Sequence, residues 1–433
     1  MGKPSVPNSS MMRSANILNE QPPDISKPRL GKMQNTSLCI PGLFSGEEGV
    51  SVSKRVQSIE PSPIRKIIDL AETRSDIIGL HVGEPDFPTP KHIVEAGCRA
   101  LNEGYTHYTH GAGLLSLREQ ISRRILENGI EADPRTEITV TAGGYGAIFA
   151  AIQATIDPGD EVILLQPSWP SYAGTIRLAE GVPVPVSLRG LDFEPRSADL
   201  NRHITKKTKM IIVNSPNNPT GVVYSRNCYL EIAKLAKQLG ILVLSDEVYE
   251  KLVFDDNRHF SIASQPEFRD CTITVNSFSK TYSMTGWRIG YVVANEAITN
   301  GIRKIHGYMI SCAPASAQKA AQEALSGPQD CVSEMVEEYS RRRDMIVRAL
   351  NEIDDFQCAP PRGTFYAFPN VSRLGLPSAK IADELLMQAK LAVIPGSAFG
   401  EAGEGHLRLS FATSQRNIKE ALDRIKNWRT QYK

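Results

Sequence analysis

The feature that most constrains this chain is an alternation of two patterns. Short apolar runs rich in β-branched residues recur at 138–140, 162–165, 210–213, 241–244, 273–275 and 291–293. Each is of strand length and is bounded by turn signals, so each reads as a buried strand. Helical stretches lie between them. Leu230, Ala233, Leu235, Ala236 and Leu239 make one apolar stripe, which stops at Gly240, a residue suited to a helix cap. Alternating strands and helices predict an α/β fold, a mostly parallel sheet covered on both faces.

Beyond Gly327 the texture changes. Residues 333–353 read as one long charged helix, with Arg341, Arg342 and Arg343 expected on its solvated face. A run at 363–368, a helix near 379–389, a short run at 392–395, a strand at 406–411 and a final helix describe an α+β unit. Residues 1–50 hold Pro4, Pro7, Pro22, Pro23, Pro28 and Pro41, several serines and no sustained hydrophobic period, so a flexible tail is expected there.

Composition narrows the function. Lys and Arg total 49 against 48 Asp and Glu, so the whole chain is not a cationic nucleic-acid binder. No stretch approaches the roughly 18–20 consecutive apolar residues of a membrane span. The seven cysteines are scattered, with no C-x-x-C pair, which indicates neither a zinc ribbon nor a disulfide framework. A reducing, cytoplasmic setting is expected. Arg13 and the early serines have a trace of an organellar transit peptide, against which Glu20 and Asp24 count. His107 and His110 form an H-x-x-H pair without other ligand-type spacing nearby, so no metal is expected.

The chemistry sits where the strands end, since ligands of open α/β sheets bind at that edge. Thr141-Ala142-Gly143-Gly144-Tyr145-Gly146 opens a helix, and free N–H groups with the helix dipole make an anion site. Glycines there also serve a tight strand-to-helix turn. Trp169, between Pro167 and Pro170, suits either a core position or stacking on a flat ligand. Residues 214–221 form a polar, rigid loop that also reads as a turn cluster. Asp246 ends an apolar strand and needs a cationic partner, either protein or ligand. Lys280, in Ser277-Phe278-Ser279-Lys280 and close to Arg288, is either a surface lysine or a Schiff-base amine. Together these describe a ligand with a phosphate, a flat ring, a protonatable ring nitrogen and an aldehyde, and pyridoxal phosphate has all four.

From about Arg55 onward the chain resembles the class I/II aminotransferases, fold-type I pyridoxal-phosphate enzymes of the aspartate and aromatic aminotransferase kind. The resemblance rests on Gly83-Glu84-Pro85-Asp86-Phe87, Tyr108 with Gly113 and Leu117-Arg118, Asn218-Pro219-Thr220-Gly221, Asp246-Glu247-Val248-Tyr249, Ser277–Lys280 with Arg288, and His406-Leu407-Arg408-Leu409-Ser410. It implies a seven-stranded sheet in a large domain at 91–326 and a smaller domain from 51–90 and 327–433. Lys280 resembles the lysine that holds the cofactor and shuttles the proton. Asp246 resembles the carboxylate paired with the ring nitrogen, Tyr249 and Asn218 the donors to the ring's phenolic oxygen, and Trp169 the stacking aromatic. Ser277, Arg288 and the N–H groups of Gly144 and Tyr145 would hold the phosphate. Tyr108 resembles the tyrosine that reaches the neighbouring subunit's phosphate, which implies a homodimer with shared sites. Arg408 would clamp the α-carboxylate of the amino acid or 2-oxo acid, and Gly83 would let it approach the backbone.

In similar bacterial aspartate enzymes a Lys follows the paired glycines and helps bind the distal carboxylate. Here that position is Tyr145, which favours aromatic or neutral amino acids over aspartate. The S-x-x-K of penicillin-binding hydrolases lacks its S-D-N and K-T-G partners here. Two alternatives share the fold: a lyase or synthase (aminocyclopropane-carboxylate synthase-like or a carbon–sulfur lyase), and a regulator without chemistry. The presence of Lys280, Asp246 and Arg408 argues against the regulator.

Overall fold

Seven strands form the central sheet in the computed structural model, which describes residues 52–59, 67–68, 71, 74, 76–188, 190 and 192–431. They are β1 (Ile138–Thr141), β2 (Glu161–Gln166), β3 (Val182–Ser187), β4 (Thr208–Asn214), β5 (Leu242–Asp246), β6 (Thr272–Ser277) and β7 (Gly290–Val293). Their spatial order is β1-β7-β6-β5-β4-β2-β3. Only β7 runs antiparallel to its neighbours. All six anticipated strands are present, and the fold is the expected α/β sandwich.

The strand runs are apolar at nearly every position because both faces are covered. Ile211, Val213 and Val243 pack with Tyr229, Ile232 and Ala233 of the helix Arg226–Leu239. Ile212, Leu244 and Val275 point the other way, against Ala147, Ile148 and Ala151 of the helix Gly143–Thr155. Successive side chains alternate between faces, so a sheet covered twice needs apolar residues throughout. The helix Arg226–Leu239 ends as its sequence suggests, with Gly240 at φ +66 and Ser225 accepting from the N–H of Cys228 at its start.

β3 was not among the expected strands, because Pro183 and Pro185 break the pattern of a strand. It is an edge strand bonded to β2 alone. The N–H groups of Val182 and Leu188 reach back to the β2 side, so the alternating prolines fall where the missing donor would face no strand.

The C-terminal segment mixes helices with short strands. Its helices are Asp330–Asn351, Ser378–Gln388 and Gln415–Gln431. A small antiparallel sheet runs Ile394–Pro395, Leu407–Ser410, Tyr366–Ala367. The strand Ile78–Gly79 pairs in parallel with Leu391–Ala392, and Ser410 N–H donates to Leu80 O at 2.7 Å. This stitching carries the 80–83 segment against Arg408. The expected arginine face needs correction. Arg341 is exposed, but Arg342 and Arg343 are buried, Arg342 on Asp86 and Glu338 and Arg343 on Asp255 and Asp344. Three consecutive residues sweep most of a helix circumference, so they cannot share one face. The expected tail at 1–50 lies outside the described residues. Among the described residues no helix is long and apolar enough to cross a membrane.

Candidate active site

The carboxyl ends of β4, β5 and β6 lie side by side. Asn214 pairs in register with Asp246, and Asp246 with Val275. A cavity of about 540 Å³ opens over this edge. The sheet side contributes Gly144, Tyr145, Trp169, Asn218, Asp246 and Tyr249 to its lining. Ser277, Lys280 and Arg288 follow β6, while Gly83 and Arg408 reach in from the C-terminal unit's side. Tyr108 is the one expected site residue that the chain does not bring here. It is 86% exposed, beside Tyr105 and Cys312.

Gly143 and Gly144 begin a 13-residue helix whose N-terminus has no side-chain cap. Its free N–H groups therefore face the cavity's end with the positive pole of the helix. Gly143 has φ +71, and a Cβ there would meet Arg288 Nη2 at 2.6 Å. Arg288 itself sits at φ +51, with Nη1 donating to Thr285 O at 2.6 Å. Ser277 Oγ lies 2.9 Å from Ser279 Oγ in the same corner.

Asp246 is buried, and burial raises its carboxyl to about 6. Tyr172 donates to its Oδ2 at 2.5 Å, and Val248 N–H to its Oδ1 at 3.3 Å. Trp169 meets Tyr172 edge to face at 5.4 Å and Tyr145 likewise at 5.1 Å. Lys280 Nζ donates to Gly83 O at 2.5 Å. Desolvation in the cavity lowers its ammonium from 10.5 to about 8, against the opposing pull of Glu84.

Arg408 is 3% exposed, and among the described residues no carboxylate lies within ion-pair distance of it. Its Nη2 donates to His81 O at 2.7 Å and its Nη1 to Asn218 Oδ1 at 3.1 Å, while Nε has no partner. Burial lowers its pKa, and the aromatic rings of Tyr366 and Phe399 flank it at 4.5 and 5.1 Å. A guanidinium buried without an acid is a site built for an anion.

Three lining residues were not singled out from the sequence. Tyr172 holds Asp246, and Tyr366 bonds Tyr249 hydroxyl to hydroxyl at 3.0 Å. His81 is buried beside Arg408, and burial drops its imidazole to about 4. Nothing local in the sequence marks any of the three.

Known proteins of one family are similar to this chain along most of its length. The family model for aminotransferase class I and II matches residues 75–425. The putative aminotransferase YugH of Bacillus subtilis is 44% identical, over 87% of this chain and 98% of its own length. The aspartate aminotransferase of Pyrococcus abyssi is 43% identical, with 87% and 97% covered. The crystal structure of an aromatic aminotransferase from Pyrococcus horikoshii superposes with a TM-score of 0.80 at 42% identity, covering 83% of this chain and 98% of that one.

Proposed function

The chain belongs to the class I and II aminotransferases, and from that membership we propose that its cavity holds pyridoxal phosphate and serves aromatic or neutral L-amino acids better than aspartate. The enzyme is an aminotransferase, and the proposal adds which residues do what. The observation that carries it is the pairing, in one cavity, of a lysine with a lowered pKa and a buried arginine with no acid beside it among the described residues. Bound there, pyridoxal phosphate supplies an aldehyde for an amine and a protonated ring that accepts electrons from the bond broken at Cα.

The residues present suit that group. Arg288, Ser277 and the N–H groups of Gly144 and Tyr145 form an anion corner for the phosphate. Trp169 offers its face to the ring. Asp246, fixed by Tyr172, would face the ring nitrogen and hold its proton. Tyr249 would donate to the ring oxygen, and Asn218, whose Oδ1 serves Arg408, would keep its Nδ2 for the same atom. Lys280 would hold the aldehyde carbon and carry the proton. Arg408 clamps the substrate α-carboxylate, with Nε free to contribute, and Gly83 leaves room for it. The exposed Tyr108 serves the neighbouring site of a homodimer. The large domain spans 91–326 and the small domain 51–90 with 327–433. The enzyme works in the cytoplasm, alternating between an amino-acid and a 2-oxo-acid substrate in ping-pong fashion.

The substrate preference follows from what the cavity lacks. With Arg288 on the phosphate, Arg408 on the α-carboxylate and Lys280 on the aldehyde, no further Lys or Arg lines it among the described residues. A distal carboxylate would be desolvated beside Tyr145 and Trp169, whereas an aromatic side chain packs there. The relatives carry both aspartate and aromatic names, so the preference rests on Tyr145. Initial rates for a panel of amino donors with 2-oxoglutarate test it. An aromatic or neutral donor is expected to exceed aspartate in kcat/KM. Tyr145→Lys is expected to shift the ranking toward aspartate by about 1–3 kcal/mol, the worth of a charge-assisted hydrogen bond. Aspartate ranking first in the unmodified enzyme, or a ranking that Tyr145→Lys leaves unchanged, would sink the assignment.

A further inference from the structure

Three independent neighbours converge on Tyr366, a residue outside the motifs that define the site. It is 1% exposed and lines the cavity. Its hydroxyl lies 3.0 Å from that of Tyr249. The Arg408 guanidinium carbon sits 4.5 Å from its ring centroid. A Cβ on Gly83 would come within 2.6 Å of its hydroxyl. The fold explains the convergence. Tyr366 pairs with Ser410 across the small antiparallel sheet, which puts Arg408, two residues earlier, on the same face and within reach of the ring.

We propose that Tyr366 is a positioning residue with two separable jobs, its ring face holding Arg408 for the substrate carboxylate and its hydroxyl setting the donor strength of Tyr249. The proposal rests on the functional reading above. Among the described residues no acid fixes Arg408, so the π face of Tyr366, with Phe399, His81 O and Asn218 Oδ1, defines the guanidinium's plane. Once an acceptor oxygen stands before Tyr249, one arrangement satisfies both hydroxyls: Tyr366 donates to Tyr249, and Tyr249 donates forward. A donor that is itself bonded at its oxygen is the stronger donor. With the cofactor bound, a strong donor on the ring oxygen would draw charge away from the nitrogen that Lys280 supplies and lower that nitrogen's basicity. The same hydroxyl fills the space a side chain at residue 83 would need, so Gly83 and Tyr366 also fix how near the substrate carboxylate comes to the backbone.

Two variants of the full-length holoenzyme separate the jobs. Tyr366→Phe removes only the hydroxyl. Its KM for the amino donor is expected to stay within about twofold because the ring face remains. Its kcat is expected to fall about 3–10-fold, and the pH midpoint of the cofactor's visible absorbance to rise by about 0.5–1 unit, as for one lost hydrogen bond. Tyr366→Leu removes the ring, and the KM is expected to rise about 10–30-fold, the worth of a desolvated cation–aromatic contact. If the Leu variant does not fold, Tyr366→Met tests the ring face by the same rise in KM, and Tyr249→Phe combined with Tyr366→Phe tests the hydroxyl. The double variant is expected to show the Tyr249→Phe midpoint with no added shift. A Tyr366→Phe enzyme with unmodified kcat and midpoint, a Leu variant with unmodified KM, or additive shifts would each overturn the proposal. These failures leave the aminotransferase reading intact. That reading fails separately, if the unmodified protein shows no spectral response to any amino acid.

Discussion

The end of β6 sets the surroundings of Lys280, for which we propose the role of reactive amine. Its side chain enters a cavity that strips water from the ammonium, and the pKa falls to about 8. The neutral amine is the nucleophile, and burial favours the neutral form, so the shift works toward reaction. At pH 7 the neutral fraction is about a tenth, against less than a thousandth for an unperturbed lysine. Pyridoxal phosphate added to the cofactor-free protein is therefore expected to react faster as pH rises, levelling off above about 8. A rate still climbing above about 10 would mean an ordinary, solvated lysine. Lys280→Ala is expected to retain the fold and lose turnover by several orders of magnitude. Lys280, Asp246, Ser277 and Arg288 were legible in the sequence because each follows a recognisable buried strand. Tyr172, Tyr366 and His81 were not. Their roles come from partners far along the chain, Tyr172 with Asp246 and Tyr366 with Tyr249, and no local spacing encodes such pairs.

At the level of elements, periodicity recovered the strands and helices and failed where one residue type served an unusual place. The prolines of β3 hid an edge strand whose outward side needs no donors. The charges of Asp330–Asn351 hid a buried half. Arg342 sits between Glu338, one turn back at 2.8 Å, and Asp86 of the Gly83–Phe87 loop, also at 2.8 Å, with Phe87 under its guanidinium at 5.0 Å. That ion pair ties the loop carrying Gly83 to the helix. Urea unfolding distinguishes it from its neighbour. Arg342→Ala is expected to cost about 2–4 kcal/mol, short of a fully buried pair because Asp86 keeps some water contact. Arg341→Ala, on the exposed side, is expected to stay within about 0.5 kcal/mol. Equal losses would contradict the buried assignment.

At the level of the whole molecule, two parts of the chain meet over one sheet edge. Cavity-lining residues come from both, Arg408 from the small sheet and Asn218 from the loop after β4, joined at 3.1 Å. In the homodimer we propose, Tyr108 would serve a second subunit, and its exposure leaves it free of this chain's own cavity. A protein starting at Val52 is expected to sediment as a dimer and transfer amino groups at near the full rate. A monomer with full activity would remove Tyr108 from the site, and loss of activity would give residues 1–50 a part in it. The central claim is that this cavity moves an amino group through pyridoxal phosphate, with an aromatic or neutral side chain beside Tyr145. The half-reaction measures it most directly: the holoenzyme is mixed with an aromatic L-amino acid alone, and its absorbance is followed without any oxo acid. The account predicts stoichiometric loss of the visible pyridoxal band and growth of the pyridoxamine band, reversed by 2-oxoglutarate and slower with aspartate. An unchanged spectrum, or release of ammonia with the pyridoxal band retained, would contradict it.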